Sequence, residues 1–82
     1  MTDAFGPAPR FRDYCEWART DAGCNVAHGY RGPRSAVRIT APDGRCALQV
    51  GVPQDEVLDP LTVAALDRKL GLDSPFPKTR IA

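Results

Sequence analysis

The chain has 82 residues, 43% of them hydrophobic and 7% aromatic, enough for one small domain around one thin core and too few for two. Eleven Lys and Arg oppose ten Asp and Glu, and a net charge of +1 gives no bulk attraction to nucleic acid or to an anionic membrane. No apolar run approaches the ~20 residues that cross a bilayer, the first residues lack a signal-peptide pattern, and three cysteines without Cys-x-x-Cys spacing suit a reducing compartment. These features lead to the expectation of a cytoplasmic protein with no membrane partner.

Residues 1–9 contain Gly6, Pro7 and Pro9 and read as a flexible lead-in. From Arg10 to Ala22 apolar residues recur at Phe11, Tyr14, Cys15, Ala18 and Ala22, the spacing of one helical face, and Gly23 offers a left-handed stop. The period then changes to two. Cys24, Val26, His28 and Tyr30 alternate with polar or small residues and predict a strand with that set turned inward. Arg31-Gly32-Pro33-Arg34 reads as a loop, and Val37 and Ile39 as the inward residues of a second strand. Ala41-Pro42-Asp43-Gly44 is a strong turn, followed by a third strand from the alternation of Cys46, Leu48, Val50 and Val52. The last helix is the best punctuated. Asp59 can cap it, Pro60 fits its first position, Leu58 can staple onto Val63, and Gly71 can close it. Its ridge is Val63, Leu66 and Leu70. Residues 75–82 read as an extended tail. The expected fold is α+β, an α-β-β-β-α two-layer sandwich spanning 10–74, with two helices on one face of a three-stranded antiparallel sheet.

The charge is uneven along the chain. Residues 31–45 carry Arg31, Arg34, Arg38 and Arg45 against Asp43, a local +3, whereas residues 51–74 carry Asp55, Glu56, Asp59, Asp67 and Asp73 against Arg68 and Lys69, a local −3. Nine of the eleven cations are arginine, whose planar fork suits phosphate and carboxylate. The same pattern also fits an ordinary solvated face with local ion pairs.

Ser35 before the second strand, the Pro42-Asp43-Gly44 turn and Leu58-Asp59-Pro60-Leu61-Thr62 at the last helix occur in an order that resembles the HicA-type mRNA interferase toxins, over about Phe11 to Leu72. The resemblance implies the α-β-β-β-α fold of double-stranded-RNA-binding domains, and RNA or an antitoxin-like protein as partner. Members of that family cleave RNA with a histidine after Gly-Ser at the start of the second strand. Here Arg34-Ser35-Ala36 stands there, so Ala36 occupies the histidine position, and the stretch from Gly44 to Leu58 runs about one residue long. Alanine can neither take nor give a proton. The resemblance therefore implies fold and surface without the acid/base group, and the expected contact residues are Arg31, Arg34, Ser35, Arg38 and Arg45.

His28, the only histidine, is the remaining candidate for catalysis; on an inward face it reads more simply as a hydrogen-bonded core residue. Cys24 lies four residues before it, but nothing in the sequence lowers a thiol pKa there, and the cysteines read as core filling. Cys15, Cys24, Cys46 and His28 come from a helix and two strands rather than from the paired knuckles of a zinc site, so no metal is expected, and no glycine loop suggests a cofactor. Trp17 and Phe76 are candidate pegs for a partner, or lids on the core. Three functions stay open: a non-catalytic HicA-like domain binding RNA or an antitoxin-like protein through its Arg-bearing sheet, a protein-interaction or homodimerisation module with no nucleic-acid role, and an active ribonuclease using His28.

Overall fold

The computed structural model describes residues 8–79. The elements run α1 (Phe11–Thr20), β1 (Asn25–Arg31), β2 (Arg34–Thr40), β3 (Cys46–Val50) and α2 (Pro60–Leu70). The sheet is antiparallel with order β1-β2-β3. Both helices cover one face, where Val37, Ile39 and Ala47 meet Phe11, Tyr14, Ala18, Val63, Leu66 and Leu70 in a single core. This is the expected α+β architecture. Among the described residues no helix is long and apolar enough to cross a membrane.

The helices form where their punctuation places them. Asp59 accepts from the Thr62 N–H at 2.7 Å, and Leu58 and Val63 are both buried, as an N-terminal staple requires. At the other end Gly71 adopts φ 68°, which returns its own N–H to Arg68 O and the Leu72 N–H to Asp67 O. These two bonds make a Schellman cap. The start of α1 is fixed by the chain that precedes α2: Leu58 N–H donates to Pro9 O, Phe11 N–H to Glu56 O, and Arg12 N–H to Gln54 O. The lead-in expected over 1–9 is thus corrected at its end, since Pro9 is buried; residues 1–7 lie outside the described residues.

Three other expectations are corrected. First, β1 is inward-facing only at its start. Val26 packs on the core, but His28 and Tyr30, on the same side, are exposed, Tyr30 at 82%. Seven strand residues span about 23 Å and ten helical residues about 15 Å, so the β1–β2 end of the sheet overhangs its helices. Second, the apolar alternation of β3 points the other way. Ala47 is the buried residue, while Leu48 and Val50 lie on the uncovered face, and Cys46 is exposed rather than core filling. Gly51, at φ 74°, breaks the alternation and brings Val52 back against the core. Third, residues 75–79 are not a free extended tail but lie on the domain, where Phe76 is the lid its second reading offered. Phe76 packs on Tyr14 and Trp17, with ring centroids 5.9 and 6.1 Å away, and Thr79 N–H donates to Pro60 O at the start of α2. Residues 80–82 lie outside the described residues.

Candidate binding face

Strand pairing decides which side chains share the uncovered face. Arg31 stands opposite Arg34, Gly29 opposite Ala36 and then Val50, Ala27 opposite Arg38 and then Leu48, and Asn25 opposite Thr40 and then Cys46. Residues directly opposite point to the same side. The face therefore has one row of two arginines, a third arginine four residues along β2 at about 13 Å, and a low centre of Gly29 and Ala36 walled by Leu48 and Val50. None of these strand positions is a carboxylate. The tight Gly32-Pro33 connection brings Arg31 and Arg34 together, because Gly32 at φ 62° followed by proline suits a two-residue hairpin.

Among the described residues Arg31, Arg34 and Arg38 make no ion pair and their side chains donate no hydrogen bond within the chain, whereas Arg19 pairs with Glu16, Arg45 with Asp43 and Lys78 with Asp67 and Asp73. The stem of Arg34 lies beside the Gly51 backbone, which a Cβ at that position would meet at 3.6 Å. Its guanidinium is therefore held at the β3 side of the face. Three like charges on one open face, with no counter-ion among the described residues, favour an anionic ligand from outside.

Two of the expected contact residues are elsewhere. Ser35 lies on the helix-side face, opposite Tyr30. Arg45 binds Asp43 at 3.3 Å and reaches over Gly71, at the C-terminal end of α2, where a cation is stabilised by the helix dipole. Ala36 is buried within the uncovered face at 8% exposure, and His28 is on the opposite side of the sheet, paired with Val37. An imidazole at 28 thus cannot reach the surface that position 36 presents. His28 instead lines a cleft of about 290 Å³ with Tyr30, Ser35, Val52, Pro53 and Gln54. No sequence signal marked this cleft, because it depends on the overhang.

Trp17 and Phe76, the candidate pegs, are half-buried against one another and Tyr14. Cys15 and Cys24 are buried, and burial pushes both thiols above their usual range, Cys15 to about 11. Neither is primed as a nucleophile. Among the described residues no three His, Cys, Asp or Glu side chains converge in the manner of a metal site. No family model, curated protein or solved structure matches this chain.

Proposed function

We propose that this protein is a non-catalytic binding domain that takes RNA on the uncovered face of its sheet. The observation that carries the reading is the set Arg31, Arg34 and Arg38, three guanidiniums on one open face with no carboxylate partner among the described residues. Guanidinium forks bind phosphate oxygens in pairs, and a regular row of them positions a nucleic-acid backbone without reading its sequence. The α-β-β-β-α order fits a HicA-like protein that has lost its histidine at Ala36, and His28 faces away from that position. Three free thiols among the described residues suit a reducing cytoplasm.

Binding to a labelled RNA, followed by fluorescence anisotropy, is expected to weaken as salt rises. Arg34→Ala and Arg38→Ala should each weaken it, and each should lower the slope of log affinity against log salt by about one. Affinity that is unchanged in both variants, or no binding at low salt, would dismiss the proposal. A cleavage assay completes the test, since RNA degradation lost in His28→Ala would restore the ribonuclease reading.

A second reading has its own observation. Leu48 and Val50 are half-buried on the same face, an apolar wall beside the arginines that suits an acidic, antitoxin-like protein. Two copies of the chain meeting face to face would oppose like charges. A homodimer through this surface is therefore disfavoured, and light scattering should find a monomer.

A further inference from the structure

We infer that the overhanging end of the sheet is a nucleobase site, so that RNA is bound as a single strand crossing the free edge of β1, its phosphates against Arg31 and Arg34 and one base in the cleft beside Tyr30 and His28. This rests on the RNA reading above and adds to it the strandedness of the ligand and a second surface.

The sheet is only one strand thick at its edge, and adjacent residues of β1 point to opposite faces. Tyr30 and Arg31 are such neighbours, as are Arg34 and Ser35 on β2, and the hairpin sets all four at one end. A chain passing around β1, which has no neighbour on its outer side, meets guanidiniums on one face and a phenol, an imidazole and a hydroxyl on the other.

The cleft's chemistry favours a base over other small groups. Its volume of about 290 Å³ is at the low end for ligand pockets, room for a ring system rather than an extended molecule. Among its lining side chains Tyr30, His28, Ser35 and Gln54 supply hydrogen-bond donors and acceptors, and none is a carboxylate or an ammonium group. Val52 and Pro53 add an apolar wall. Tyr30 is the most exposed large apolar side chain among the described residues, and an aromatic ring held in the open by a rigid hairpin is a stacking platform. A duplex keeps its bases inside and cannot offer one to the cleft without unstacking it.

The test compares a short single-stranded RNA with a duplex of the same length, using the full chain and the variants Tyr30→Ala, Tyr30→Phe and Arg34→Ala. Tyr30→Ala should weaken the single strand by roughly tenfold or more, the range seen when a stacking aromatic is removed, and leave the duplex unchanged. Tyr30→Phe keeps the ring and should bind like the wild type. Because Tyr30 is exposed, neither change threatens the fold. The chain has one histidine, so its single imidazole signal in an NMR spectrum should move when single-stranded RNA is added. If Arg34→Ala weakens binding while Tyr30→Ala and the imidazole signal are indifferent, the base site is overturned and the phosphate-binding face stands. If the wild type binds neither RNA, both fall together.

Discussion

Asp67 sits on α2 with 5% of its surface exposed, and its two oxygens take four hydrogen bonds. Oδ1 accepts from the Tyr14 hydroxyl at 2.6 Å, and Oδ2 accepts from the Ser74 N–H and hydroxyl and from Lys78 Nζ. A buried carboxylate is tolerable because every partner is supplied, one of them charged. Tyr14→Phe removes one donor to a charged acceptor and should cost about 1.5–3 kcal/mol in urea unfolding. Asp67→Ala leaves Lys78 able to turn toward water, so its cost should stay near about 3 kcal/mol, the low end for broken buried pairs. Losses below about 0.5 kcal/mol would make the cluster incidental. In the sequence Asp67 is one of five acids in residues 51–74, yet its position beside Val63, Leu66 and Leu70 on the ridge was the available sign. Ala36 and His28 show the limit of such signs. Their chemistry can be read from the sequence, but the faces they occupy depend on strand pairing and on where the helices end.

At the scale of elements, local signals were the legible ones. The caps of α2 involve neighbours within four or five residues, so Asp59, Pro60 and Gly71 announce it directly. The register of β3 is not local. It follows the pairing of β3 with β2, which turns the small Ala47 inward and leaves the more apolar Leu48 and Val50 outside. Hydrophobic alternation alone favours the opposite choice. The cap at Gly71 yields a prediction. Gly71→Ala should destabilise by about 1–2 kcal/mol, because a side chain strains the left-handed backbone. The new Cβ would also crowd the Arg45 guanidinium, which is flexible and can swing aside. The same loss measured in an Arg45→Ala background would assign the cost to the backbone, and a loss that vanishes there would assign it to crowding.

For the molecule as a whole, four groups set a common response to alkali: Cys15, Cys24, Tyr14 and Lys78, all raised. Burial raises Cys15 to about 11. Tyr14 is pushed above the usual tyrosine range, first by burial and then by its bond to Asp67. Burial alone would lower Lys78, but its bonds to Asp67 and Asp73 outweigh that and raise it. In each case the folded chain holds its proton to higher pH than the unfolded chain. Above about pH 9 the unfolded state therefore binds fewer protons, and stability must fall as pH rises. Urea midpoints should decline through this range, and Tyr14→Phe combined with Cys15→Ala should flatten the decline. A midpoint independent of pH would contradict these environments. The order of elements was legible because each carries its own period. The overhang was not, since it arises from comparing lengths across elements rather than along one.

The anchorage of α1 bears on how the chain comes to be folded. Its N-terminal turn is bonded to residues 54 and 56, and Tyr14 to Asp67, 53 residues away. The hairpins of the sheet, by contrast, join neighbours. During synthesis the sheet can close while α1, made before it, still lacks the part of its cover that Val63, Leu66 and Leu70 of α2 supply. The first helix is thus fully sheltered only once α2 has been made, and the interval before α2 emerges is when this domain is most open to chaperones and to aggregation.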